Sequence, residues 1–184
     1  QLAQIGPVVE KVNDLALSRD GKRVLLGTYG QVASLWNVET GTLERVFRGH
    51  TDDVFSVAFS PDEQIVASGS WDGTVRLWNP YTGQERRKFL HPSTTFENKP
   101  TGVQALAFSP EGRSIVVGCM DQTARLWALD TGEESRRFSG HTNALESIEF
   151  SQDGKLILTG SFDDTARLWE VATGREIRVF KGSA

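Results

Sequence analysis

Four short stretches, ASLWNVETG, VRLWNPYTG, ARLWALDTG and ARLWEVATG, recur along the chain, and their tryptophans Trp36, Trp78, Trp127 and Trp169 stand 42, 49 and 42 residues apart. A repeat of this length constrains the fold before anything else does, because each copy must build the same unit and bury its apolar face against its neighbours. A second register accompanies it: LALSRDGKRVLLG, VAFSPDEQIVASG, LAFSPEGRSIVVG and IEFSQDGKLILTG are each an apolar segment, a polar turn and another apolar segment. Each unit therefore reads as a β-meander. In the second unit, VFSVAFS is a strand, PDE a tight turn, QIVASGS a second strand, Asp72-Gly73 a two-residue hairpin turn, TVRLW a third strand, YTGQ a turn and ERRKF a fourth strand. The first two strands are apolar almost throughout and need cover on both faces. The fourth alternates charges with an apolar end and lies outside. A sheet of this kind is a wedge, and wedges stack around an axis.

Four strands per unit, a period in the low forties, Gly49-His50-Thr51 and Gly140-His141-Thr142, and the late Arg-Leu-Trp motif together resemble the WD40 repeats of a β-propeller. The resemblance covers nearly the whole chain. It departs at the namesake dipeptide, because the four tryptophans are followed by Asn37, Asn79, Ala128 and Glu170 instead of aspartate. What it implies is an all-β fold of four-stranded antiparallel blades, four of them forming an open half or part of a larger, seven- or eight-bladed propeller. The repeats fall at 7–48, 49–90, 91–139 and 140–182 within one repeat region, 1–184, and residues 1–6 align with the fourth strands, as the outer strand of a preceding blade. An open half-ring leaves two apolar faces uncapped. The chain is therefore expected to be a piece of a longer propeller, or one of two copies that close an eight-bladed ring.

The resemblance also implies a hydrogen-bonded tetrad in the complete repeats: His50, Ser68, Asp72 and Trp78 in the second, His141, Thr159, Asp163 and Trp169 in the fourth. Such groups can enter a sheet sandwich only if each finds a partner. A hydrolase triad is the competing reading of His beside Asp and Ser, and recurrence in two repeats speaks against it, since an active site is built once. Repeat one has Val8, Leu26 and Gly30 at the histidine, hydroxyl and aspartate positions; repeat three keeps Asp121 and Trp127 but has Val117 at the hydroxyl position and His91-Pro92 in place of Gly-His. Trp36 is therefore expected to rest mostly on apolar packing. Arg76, Arg125 and Arg167, each two residues before a tryptophan, share its strand face and are expected to stack or pair within the blade.

One position is left over by that accounting. Tyr29, Trp71, Met120 and Phe162 all stand just before the turn that leaves the second strand, at a rim which in WD40 propellers receives peptides and partner proteins. Either they fold over the neighbouring blade and extend the core, or they form an aromatic patch for a partner. The starts of the inner strands, Asn13, Phe55, Gln104 and Glu146, face the same rim if the family alignment holds. The longer third repeat places its extra residues in HPSTTFENKPTG, a loop on that rim with Phe96 and Lys99 as candidate contacts.

Composition narrows the function classes. A net charge of -4 gives no reason to expect a nucleic-acid partner, although it leaves room for a local basic patch. No stretch has the roughly 18 apolar residues of a membrane span, and the N-terminus lacks the pattern of a secretory signal. The one cysteine, Cys119, lies in an apolar run and suits a reducing compartment, which with the rest points to the cytoplasm. No phosphate loop, metal-ligand cluster or nucleophile motif is present, so no enzyme activity, metal or cofactor is expected. The expected function is a protein- or peptide-binding scaffold or sensor module within a larger signalling or regulatory protein, with self-assembly of two chains as the alternative.

Overall fold

The structure, a computed structural model, describes residues 11–90 and 102–182. Alternating and fully apolar segments punctuated by Gly, Asp and Asn form sixteen strands, grouped as four sheets in chain order. Sheet 1 holds β1 (Val12–Leu17), β2 (Arg23–Thr28), β3 (Val32–Asn37) and β4 (Leu43–Arg48); sheet 2 holds β5 (Val54–Phe59), β6 (Val66–Ser70), β7 (Thr74–Trp78) and β8 (Glu85–Leu90). Sheet 3 holds β9 (Val103–Phe108), β10 (Ser114–Cys119), β11 (Thr123–Ala128) and β12 (Glu134–Ser139); sheet 4 holds β13 (Leu145–Phe150), β14 (Leu156–Ser161), β15 (Thr165–Glu170) and β16 (Glu176–Lys181). Every sheet is an antiparallel meander in sequence order. The charged fourth strands are edges, where mixed charges discourage pairing with other chains.

Two compact units divide the chain, residues 1–91 and 92–184. In the first, Leu25, Ala33, Leu35 and Phe47 of sheet 1 pack on Val54, Val57, Val66 and Trp78 of sheet 2. In the second, Val116, Ala124, Leu126 and Phe138 of sheet 3 pack on Leu145, Ile157 and Trp169 of sheet 4. The core of each unit thus lies between sheets. Glycine on the second strand permits the approach: a Cβ on Gly27 would stand 3.1 Å from Cγ1 of both Val54 and Val57, and one on Gly118 would stand 3.2 Å from the Leu145 Cβ.

The hairpin turn differs from the two-residue reading. Trp71, Asp72 and Gly73 all lie between β6 and β7, the Gly73 amide donates to the Ser70 carbonyl, and only Gly73 has a positive φ, 77°. Three-residue loops of this kind need one left-handed residue at their end. Gln31, Gln122 and Asp164 take that conformation at the equivalent place in the other sheets.

Candidate functional site

The buried polar network of sheet 2 is built across three elements. The Trp78 indole N–H donates to the Ser68 hydroxyl at 2.9 Å, Ser68 lies 2.7 Å from His50 Nε2, and His50 Nδ1 lies 3.0 Å from the Asp72 carboxylate. The carboxylate holds Nδ1 as the donor, which leaves Nε2 to accept the Ser68 proton. Asp72 also accepts from the Thr51 amide at 3.0 Å and the Thr74 hydroxyl at 2.6 Å. Sheet 4 repeats the arrangement: Trp169 to Thr159 at 2.8 Å, Thr159 to His141 at 2.7 Å, His141 to Asp163 at 2.8 Å. Burial alone would push the Asp72 carboxyl up, but donation from His50, Thr74 and Thr51 outweighs it and holds the group well below the usual carboxylate range. Asp163 is displaced the same way, burial being outweighed by Thr165, the Thr142 amide and His141. The residues point into the blade, and Trp78 and Trp169 reach across to Phe47 and Phe138 of the preceding sheet.

The two incomplete repeats solve the same problem with other residues. In sheet 1 the Trp36 indole donates to Ser34 on its own strand at 2.8 Å, so the tryptophan does not rest on apolar packing alone. The hydroxyl simply comes from β3 instead of β2. In sheet 3 the fully buried Arg125 guanidinium donates to Asp121 Oδ2 and to Glu134, each at 3.0 Å. It occupies the carboxylate oxygen equivalent to the one that histidine takes in sheets 2 and 4. Its counterparts Arg76 and Arg167 pair with Glu85 and Glu176 alone among their described carboxylate contacts.

The rim residues are positioned by a backbone device common to all four sheets. The amides of Tyr29, Trp71, Met120 and Phe162 donate to the carbonyls of Lys11, Asp53, Gly102 and Ala144 at 3.0 to 3.1 Å, which ties each turn to the chain entering its inner strand. Directly after these entry points each inner strand carries a bulge, at Asn13, Phe55, Gln104 and Glu146. An unpaired bulge residue is turned out of the ladder, and Phe55 faces the turn residue Trp71. Tyr29, Trp71, Met120 and Phe162 are 40, 38, 42 and 53 % exposed.

What the positions do then depends on residue type. In the first unit Phe55 stacks on Trp71, ring centroids 4.3 Å apart and planes 5° from parallel, and Tyr29 packs tilted against Phe55 at 5.8 Å. Lys11 sits over the Tyr29 ring, 4.8 Å from its centroid. Asn13 is drawn inward, its amide donating to the Val54 carbonyl of the next sheet at 3.0 Å. In the second unit the bulge residues are the half-buried Gln104 and the exposed Glu146, which offer no ring to Met120 or Phe162. Phe96 and Lys99 lie outside the described residues. Cys119 is fully buried, and burial pushes its thiol far up. Among the described residues no group of three or more His, Cys, Asp or Glu is placed to hold a metal, and no helix is long and apolar enough to cross a membrane.

A family model described as WD domain, G-beta repeat, matches residues 41–79, 90–128 and 132–170. Two of the matched segments, the first and the third, take the outer strand of one sheet with three strands of the next. No curated protein matches the chain.

Proposed function

The chain belongs to the WD40 repeat family, and from that premise we propose that it is a non-catalytic scaffold or sensor module of a larger signalling or regulatory protein, taking a protein or peptide on the rim that carries Tyr29, Phe55 and Trp71. WD40 repeat domains are in general interaction modules that bind proteins or peptides. The observation that carries the rim reading is the stack of the half-buried Phe55 on the exposed Trp71. Aromatic side chains already ordered by one another lose little further freedom on binding, and each is worth about 2 kcal/mol or more when a partner desolvates it. In the second unit, taken by itself, Met120 and Phe162 are exposed at the equivalent positions. A pull-down comparing the wild type with Trp71→Ala plus Phe162→Ala, both shown to fold by circular dichroism, tests this: the captured partners should be lost, and unchanged capture counts against the rim.

A second reading is assembly, in which two chains associate to close an eight-bladed ring. It is supported by the exposure of Leu158 and Phe180 on sheet 4, at positions where sheets 1 and 3 bury Leu25, Phe47, Val116 and Phe138.

A further inference from the structure

Within each unit an arginine crosses from one sheet to the next. Arg45 on β4 donates through Nε and Nη2 to the Tyr81 carbonyl at 2.9 and 2.6 Å, and Arg136 on β12 donates through Nη2 to the Ala172 carbonyl at 2.6 Å. The two are the same position, paired with Leu35 and Leu126 across their ladders. The acceptors match as well. Each carbonyl sits in the turn after the third strand, closed by Gly83 donating to Asn79 and Gly174 donating to Glu170, both at 2.8 Å. Two independent units thus use one clasp at the outer end of an apolar sheet-to-sheet contact.

Sheet 4 carries the donor side of this interface. Arg178, paired with Leu168, is the equivalent arginine and is exposed, and beside it Leu158 and Phe180 are 41 and 45 % exposed where Leu25 and Phe47 are both 0 %. Sheet 1 carries the acceptor side. Leu15 and Leu17, in the positions of Val57 and Phe59 that fill the first unit's core, are 63 and 59 % exposed. The turn that holds Glu39 is closed by Gly41 donating to Asn37 at 3.0 Å, which makes Glu39 the counterpart of Tyr81 and Ala172. One departure carries a charge: Glu149 stands where Ala16 and Ala107 stand. Donor and apolar face on one sheet therefore find their complements on another sheet of the same chain.

We propose that sheet 4 docks on sheet 1 of a second copy, with Leu158 and Phe180 covered by Leu15 and Leu17 and Arg178 clasping the Glu39 carbonyl. The inference rests on the assembly reading and adds to it the direction and the residues. Because the contact is head to tail, its two sides can be broken separately.

The test is molar mass by light scattering over a concentration series, with circular dichroism as the check on folding. The wild type should reach a multiple of the chain mass, Arg178→Ala should raise the dissociation constant about fivefold to tenfold, and Arg178→Lys should recover part of that loss. Leu15→Asp and Leu158→Asp should each be monomeric alone and associate when mixed, since the mixture contains one undamaged pair of faces. A wild type that stays monomeric overturns the assembly reading and this inference with it. Association that survives Arg178→Ala unchanged, or that Leu158→Asp abolishes and Leu15→Asp does not, overturns the inference and leaves assembly standing.

Discussion

The guanidinium of Arg125 and the carboxylate of Asp121 are 3.0 Å apart, and the arginine is wholly buried. In the two sheets with a histidine, the same turn aspartate is engaged by imidazole at 2.8 to 3.0 Å. One hydrogen-bonding position on the turn aspartate is thus filled by two different donors within a single chain.

That substitution sets the size of a mutational effect. Removing one member of a buried pair leaves the other charge without compensation and costs roughly 3 to 5 kcal/mol. Asp121 and Glu134 are 18 and 22 % exposed and Glu134 keeps its pair with Arg137, so Arg125→Ala should lower stability in urea by less than that, about 2 to 3 kcal/mol, whereas Arg76→Ala, whose partner Glu85 is about a third exposed, should cost much less. Equal losses would mean that the Asp121 contact adds nothing.

The tryptophans should differ by what their loss strands. Trp78→Phe and Trp169→Phe keep most of the ring packing but remove the donor to Ser68 and Thr159, which head a chain to histidine and aspartate. Each should cost about 1 to 3 kcal/mol. Trp36→Phe removes one bond to Ser34 with no chain behind it, so the loss should be smaller. Chemical denaturation of the three variants decides the order.

Acid should weaken the fold through the same two networks. Asp72 and Asp163 have carboxyls held below the ordinary range, so the folded state binds fewer protons than the unfolded one. The stability they contribute is present above the unfolded value, about 3.9, and is lost as pH falls below it toward the depressed folded value. Thermal melts from pH 6 to pH 2 should show this loss, and Asp72→Asn should flatten part of it at the expense of stability near neutrality.

Strand order and the places of the turns were legible in the sequence because they follow from local periodicity and from Gly, Asp and Asn at the turns, but the length of the loop after the second strand was not, since Trp71 joins Asp72 and Gly73 in it. The rim residues stand out only when Tyr29, Trp71, Met120 and Phe162 are set side by side. What joins Phe55 to Trp71 was not legible, since it depends on a bulge that turns residue 55 out of its ladder, and strand alternation carries no mark of a bulge. The replacement of histidine by Arg125 left one signal, a turn aspartate without its histidine and an arginine on the same face as the tryptophan. The crossings from sheet to sheet, Asp14 accepting from Ser56 and the Val57 amide and Arg45 reaching Tyr81, left none, because they are set by how two sheets pack and not by any one strand.

The rim account is tested most directly with peptides selected by display on the folded wild-type chain and then titrated against wild type and Trp71→Ala in parallel. The enriched peptides should bind the wild type and lose about tenfold or more in affinity on Trp71→Ala, with Leu158→Asp as a control that leaves binding intact. Peptides that bind Trp71→Ala as tightly as wild type would contradict the rim account.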